Sequence, residues 1–233
     1  MTNLRKLTIK HPELLYRNYM YYLTNLTYLG LINVPARLNI AALPLLQTLI
    51  IRTAAVLFTN FPLIRFDNLS HLEITGYCFG NGEINFQLLK NLTHLDLGAS
   101  CIVNYHELSE LKALKKLILR SCRYDPDVDI SGLPSLISLE ILEGRLRSFA
   151  SGSKSLLTLT VEIYDAELDD NSLKAFPNLK HFSFVPMKGL SGDCFRYLDN
   201  LYCVTELHHK KLDKECIAEL ENRGIIVRHV KFI

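Results

Sequence analysis

Between Asn91 and Arg120 the chain writes one pattern twice. L-x-x-L-x-L appears as Leu92, Leu95, Leu97 and again as Leu114, Leu117, Leu119, with 22 residues between starts. The same unit extends in both directions. Its first position falls at Leu4, Leu26, Leu46, Leu69, Leu92, Leu114, Leu136, Leu156 and Leu179, in steps of 20 to 23 residues. A tenth, weaker copy is read from Val204 (VTELHH), with His209 in the third apolar place. An apolar residue usually stands three places before each unit: Leu23, Leu43, Phe66, Leu89, Leu111, Leu133 and Phe176. Pro follows it in Leu43-Pro44, Leu133-Pro134 and Phe176-Pro177.

The spacing inside the unit selects its local structure. In x-L-x-L-x the apolar residues are two apart, the period of a strand; amphipathic helices would need a period of 3.6. Leu95 and Leu97 therefore point to one side, and His94, Asp96 and Gly98 to the other. A single unit cannot bury its leucines alone, whereas stacked neighbours bury them against each other. A period of about 22 leaves room for one or two helical turns between strands. The stretches 105–111 (YHELSEL) and 169–176 (DDNSLKAF) suit short helices, the second with Asp169 or Asp170 as N-cap. Ala54–Phe61 and Asp125–Ile130 read as irregular.

On these recurring units the chain resembles the leucine-rich repeat family over nearly its whole length. The resemblance implies an α/β curved solenoid, with a parallel concave sheet of about ten strands and short helices or turns on the convex side. It implies residues 1–212 as about ten repeats. Residues 213–233 read as a C-terminal cap: a helix over Leu212–Asn222 with Asp213 as N-cap and Ile217 and Leu220 on one face, then a last strand through Ile225, Val227 and His229. No cap precedes Met1. That end reads as a gene boundary or cut end, or else Tyr16, Tyr19, Met20, Tyr21 and Tyr22 shield it. In this family the place of Cys78 and Cys101, and nearly of Cys122, often holds an inward Asn or Cys, which implies a structural ladder.

Composition narrows the function classes. The chain has 26 basic and 24 acidic residues, a formal net charge of +2, which announces neither nucleic acid nor an anionic membrane. No apolar run reaches the length of a membrane span. The six cysteines contain no C-x-x-C pair and read as reduced thiols in a cytosolic setting. The sequence carries no phosphate loop, nucleophile elbow or H-E-x-x-H. It is therefore read as a non-enzyme that needs no cofactor or metal, and Gly80-Asn81-Gly82 as a turn.

Specificity is expected on the outward third, fifth and seventh residues of each unit. The candidate partner-binding residues are Tyr28, Ile50, Arg52, His71, Glu73, His94, Asp96, Lys116, Ile118, Arg120, Glu140, Leu142 and Glu162. His71-Leu72-Glu73 and His94-Leu95-Asp96 stack two imidazoles beside two carboxylates. Like charges so placed cost energy unless a cation lies close. A partner's Arg or Lys could supply it; alternatively His71, His94, Lys116 and Arg120 balance the acids, or the four residues hold a divalent metal. Tyr28, Ile32, Ile50, Ile118, Leu142 and Val185 are expected outward, as anchors for a partner. Tyr77, Phe79, Tyr124 and Tyr164 are expected on the rim.

The expectation is a protein–protein interaction module gripping a folded protein on its concave face, monomeric when free. Nucleic acid is disfavoured because Glu73, Asp96, Glu140, Glu143 and Glu162 interrupt the basic path. The resemblance implies roles found in the family: enzyme inhibitor or regulator, recognition arm of a ubiquitin ligase, or effector of intracellular bacteria, cytoplasmic or secreted into a host cytosol. The alternatives are a metal or catalytic site at His71, Glu73, His94 and Asp96, and the ligase arm, although no F-box precedes the repeats.

Overall fold

The computed structural model describes residues 3–10, 22–33, 43–57, 66–79, 86–98, 105–121, 127–209 and 212–230, with the side chains of 54–57 and 77–79 outside the description. Eleven strands form one parallel sheet: β1 (Lys6–Lys10), β2 (Tyr28–Ile32), β3 (Thr48–Leu57), β4 (His71–Phe79), β5 (His94–Gly98), β6 (Lys116–Arg120), β8 (Ser138–Leu142), β10 (Thr158–Glu162), β11 (His181–Phe184), β12 (Cys203–Leu207) and β13 (Ile226–Val230). Strands β7 (Asp127–Asp129) and β9 (Ser148–Ser151) pair separately. The chain divides into two compact units, residues 1–114 with 120–123, and residues 115–119 with 124–233.

Within the first unit the register aligns equivalent repeat positions, as in Leu29↔Leu49↔Leu72↔Leu95. These leucines are all 0 to 1% exposed. Each repeat enters its strand through a tight turn. The N–H of the leading leucine donates to the carbonyl three residues back: Leu26 to Leu23, Leu46 to Leu43, Leu69 to Phe66, Leu92 to Leu89. This accounts for Pro44, because proline's fixed φ suits the second place of such a turn. Asparagines just before the leading leucine bind repeat to repeat. The Asn68 Nδ2–H donates to the Pro44 carbonyl at 2.7 Å and Asn91 Nδ2–H to the Asp67 carbonyl at 2.6 Å. Hydroxyls one place after that leucine do the same: Ser70 to the Gln47 carbonyl, and Thr93 to the Ser70 carbonyl.

Strand exit has its own geometry. The eighth repeat position adopts left-handed backbone at Asn33 (φ 55°), Gly76 (φ 121°), Ser121 (φ 50°), Glu143 (φ 62°) and His208 (φ 68°). From there the N–H of Asn33 donates to the Arg52 carbonyl, Glu143 to Glu162 and His208 to Val230. At Gly76 the constraint is absolute. Between β3 and β4 the register passes from Arg52↔Thr75 to Ala55↔Tyr77, so two residues on β3 bulge opposite one glycine. A Cβ on Gly76 would lie 1.6 Å from the Thr53 carbonyl oxygen. The bulge lets β3 run on to Leu57, so Ala54–Leu57 is strand where the sequence suggested irregular chain.

In the second unit the same rules hold from β8 to β13. The turns close from Leu136 to Leu133, Leu179 to Phe176 and Leu201 to Leu198. Asn178 donates to the Lys154 carbonyl and Asn200 to the Pro177 carbonyl. Phe182 aligns with Val204 and Phe184 with Glu206. The tenth repeat therefore begins at Leu201, not Val204, and Glu206, not His209, fills its third apolar slot. Glu206 is 1% exposed. Its Oε1 accepts the Leu212 N–H at 2.6 Å, and its Oε2 lies 2.7 Å from His229 Nδ1 on β13. The sequence disguised this repeat because a carboxylate replaced the leucine. The burial is tolerable because Oε1 has a donor and Oε2 lies at ion-pair distance from His229, although no hydrogen bond reaches Oε2.

Among the described residues, the helical elements of the connecting segments are short. Helix α1 spans Tyr105–Leu108 in the first unit. In the second, a 3₁₀ turn at Ser172–Ala175 replaces the expected helix. Its N-cap is Asn171, while Asp169 accepts from the Asn171 and Ser172 N–H groups. Helix α2 (Lys214–Asn222) is capped as the sequence indicated, by Asp213 accepting the Cys216 N–H at 2.7 Å. Its Leu220 is 1% exposed.

Asp127 to Asp129, expected irregular, is strand β7. Arg147 grips Asp127 with Nε and Nη2, and Ser148 Oγ–H donates to it at 2.7 Å. Arg147 first, then Ser148, hold the Asp127 carboxyl down at about 2.

Two predictions follow from these contacts. Gly76→Ala should cost roughly 2 to 4 kcal/mol in urea denaturation, because strain and the Thr53 clash add; an unchanged midpoint would refute the bulge geometry. For Asp127 the folded pKa lies below its ordinary value, so its stabilisation is full above about pH 4 and disappears as the pH falls through about 2. Wild type should lose more stability than Asp127→Asn between those pH values, and parallel losses would show that the pair contributes nothing.

Candidate functional site

On the outward side of the first unit, β4 and β5 set His71 beside His94 and Glu73 beside Asp96, as their register requires. The imidazoles stack with centroids 5.6 Å apart and planes 22° apart. His94 Nδ1 lies 2.9 Å from Thr93 Oγ1. The acids do not stand open to solvent. Glu73 is bound by Arg52 through Nε at 2.5 Å and Nη2 at 3.1 Å. Asp96 is bound by Arg120 through Nε at 3.0 Å and Nη2 at 3.1 Å. The carboxylate side chains are 11% and 14% exposed, against 57% and 43% for their arginines. Hydrogen bonding and charge from Glu73 hold the Arg52 guanidinium above its ordinary value.

This arrangement answers the electrostatic question from within the chain. Two adjacent carboxylates need cations, and arginines from flanking strands provide them. A partner's cation is not required for balance. Both carboxylates are turned to guanidinium groups. Among the described residues, no three His, Cys, Asp or Glu side chains converge as a metal site would.

In the second unit, Lys116 Nζ pairs with Glu140 Oε1 at 2.7 Å. Glu162 Oε1 lies 3.0 Å from His208 Nε2, with the exposed Tyr164 ring 5.9 Å from the His208 ring. Between them the face is lined by short hydroxyl side chains: Ser138, Thr158, Thr160, Ser183 and Thr205. Leu142 is half-buried, whereas Ile118 is 9% exposed and Val185 fully buried. Val185 departs from the expected outward column because β11 ends at Phe184, so strict alternation stops there.

Of the rim aromatics, Tyr164 is 56% exposed. The Tyr77 and Phe79 side chains and all of Tyr124 lie outside the described residues, as do Tyr16, Tyr19, Met20 and Tyr21. Tyr22 is 73% exposed. The proposed cysteine ladder also falls outside them, since Cys101, Cys122 and the Cys78 side chain are not described. Cys194, Cys203 and Cys216 are free thiols. Burial pushes the Cys216 thiol up to about 11 and the Cys194 thiol higher still, so neither is primed as a nucleophile. His208 stands at the eighth position of the tenth repeat, outside the third, fifth and seventh positions read as outward, so the sequence columns omit it. The asparagine ladder was legible in the recurring Asn-Leu of Asn68-Leu69, Asn91-Leu92 and Asn178-Leu179, but leucine spacing hid it.

The structure is similar to that of a leucine-rich repeat protein of Leptospira interrogans, with a TM-score of 0.59 and 15% identity, covering 96% of this chain. The chain has the leucine-rich repeat fold. It spans 60% of the length of that Leptospira protein. An internalin of Listeria monocytogenes is similar at a TM-score of 0.54 and 15% identity, over 98% of this chain and 81% of the internalin. No protein-family model matches the sequence, nor does any curated protein sequence. Among the described residues, no helix is long and apolar enough to cross a membrane.

The ion pairs make a stability prediction. Arg52→Ala leaves the recessed Glu73 carboxylate without its cation and should cost about 2 kcal/mol, discounted for the exposure of Arg52. Arg52→Ala/Glu73→Leu should recover most of that loss in thermal denaturation. An additive penalty in the double variant would show that the two residues act separately.

Proposed function

We propose that this leucine-rich repeat chain is a protein-interaction module that binds a folded protein partner through the outward face of its sheet. The observation carrying this reading is the contrast between the two sides of the strands. The inward side chains are leucines near 0% exposure, committed to the core. The outward ones change from repeat to repeat and combine oriented charges with an aromatic ring: Tyr28, Arg52, Glu73, Asp96 and Arg120 in the first unit, Lys116, Glu140 and Glu162 in the second. Arginines held bidentately by recessed carboxylates lose little side-chain entropy on binding, which favours them as contact residues. The role beyond binding, as inhibitor, regulator, recruiting arm or delivered effector, is a further step within the same reading, and a monomeric free state goes with it. A cytoplasmic location, or delivery into a host cytosol, belongs to the same proposal. Catalysis has less support, since Glu73, Asp96, Glu140 and Glu162 are engaged by Arg52, Arg120, Lys116 and His208.

The test is site-specific photo-crosslinking in extracts of the source cells or of a host. A benzophenone amino acid would replace Thr75 or Thr160 on the outward face, and Lys112 or Lys174 on the connecting segments. One discrete protein should crosslink from the outward positions only. Crosslinks confined to Lys112 or Lys174 would move the interface to the other layer and overturn the proposal.

A further inference from the structure

The first three strands carry a surface distinct from the paired charges of β4 and β5. In register across β1, β2 and β3 lie the rows Lys6–Tyr28–Thr48, Thr8–Gly30–Ile50 and Lys10–Ile32–Arg52. Gly30 lies in the middle. A Cβ there would meet Thr8 Oγ1 at 3.1 Å and the Tyr28 hydroxyl at 3.4 Å. The Tyr28 side chain therefore lies down along its own strand over the glycine. A larger residue at position 30 would lift the ring off the sheet.

The tyrosine forms a flat plate with Ile32 and Ile50 beside it, all three half-buried. Lys6, Lys10 and Arg52 surround it and are exposed. No acid stands among these nine positions, and the nearest along the sheet, Glu73, is 11% exposed beneath Arg52. The protein's charges nearly cancel overall, yet this patch is uniformly basic around an apolar centre. Arg52 uses its Nε–H and one Nη2–H on Glu73, which leaves three of its five N–H donors for another acceptor.

We propose that this patch docks an acidic, extended segment of a protein partner, lying across β1 to β3 with an apolar side chain on the Tyr28 plate. The inference rests on the binding reading above and names the chemistry of what is bound. Lys10 and Arg52 are two strand spacings apart, about 10 Å. An extended segment of polyproline-II type has three residues per turn and advances about 3.1 Å per residue, so carboxylates three positions apart lie on one side and match the two cations. One of the two residues between them turns toward the Tyr28 ring. A tyrosine and an arginine at the centre of a contact are the side chains that most often dominate binding energy. Nucleic acid fits less well, because Glu73 and Asp96 interrupt the basic row after β3 and only a short backbone segment could be followed.

The experiment uses the full chain and a short fluorescein-labelled peptide in which two glutamates, three positions apart, flank leucine and phenylalanine. Fluorescence anisotropy should give micromolar binding, weakened about tenfold between 50 and 300 mM NaCl. Replacing both glutamates by glutamine should remove it. Tyr28→Ala and Lys10→Ala should each weaken binding about tenfold. Arg52→Gln/Glu73→Gln, which keeps a neutral hydrogen-bonding pair in the recess, should do the same. Arg228→Ala, an exposed cation on β13, should change nothing. Equal loss with Arg228→Ala, no loss with Tyr28→Ala, or tighter binding of an oligothymidylate would overturn the proposal. Absent peptide binding alongside crosslinking from Thr75 or Thr160 would sink this inference while leaving the binding module intact. Failure of crosslinking from both outward positions would sink the module itself.

Discussion

Burial of each repeat's leucines by its neighbours is the interaction on which the rest of the structure depends. A six-residue unit with three apolar side chains has no core of its own, and only stacking removes those side chains from water. Stacking needs every strand in the same register, because a slip of one residue would turn the leucines outward. Much of the remaining chemistry serves that register. Turns closed on the leading leucine start each strand at the same point. Asparagine amides and Ser or Thr hydroxyls tie one repeat's carbonyls to the next repeat. Left-handed residues at the eighth position end the strand at the same place in four repeats, at Asn33, Ser121, Glu143 and His208, whereas at Gly76 the strand continues past a bulge.

Once the inward side is fixed, the outward side is free to carry charge, and electrostatics organises it. Glu73 and Asp96 sit one strand spacing apart, which would be unfavourable if they stood alone. Arg52 and Arg120 approach from opposite flanks and neutralise them. The result is a face whose acids are recessed and whose guanidinium groups are presented in fixed orientations. A comparable solution operates inside the second unit, where Glu206 takes a leucine slot with Leu212 N–H and His229 as its partners. In both places a carboxylate is accepted at low exposure because polar or cationic groups of neighbouring elements approach it.

Much of the architecture was legible in the spacing of leucines, since a period of two inside the unit and about 22 between units admits few alternatives. The errors have a common origin. Val204 was taken as the lead of the tenth repeat because Glu206 broke the apolar pattern. Ala54–Leu57 and Asp127–Asp129 looked irregular because short strands outside the repeat unit carry no leucine signature. Val185 was placed outward by extending an alternation past the end of β11.

The sequence by itself determined the strand period, the identity of the core leucines and the turn prolines. These follow from local chemistry and from periodicity, which a linear sequence states directly. Only the tertiary structure decided which outward charges meet. Arg52 and Glu73 are 21 residues apart and Asp96 and Arg120 are 24, so their pairing depends on side-chain direction across neighbouring strands. The flat seating of Tyr28 over Gly30 and the burial of Glu206 under His229 are likewise contacts made in space. No pattern of residue types along the chain could have specified them.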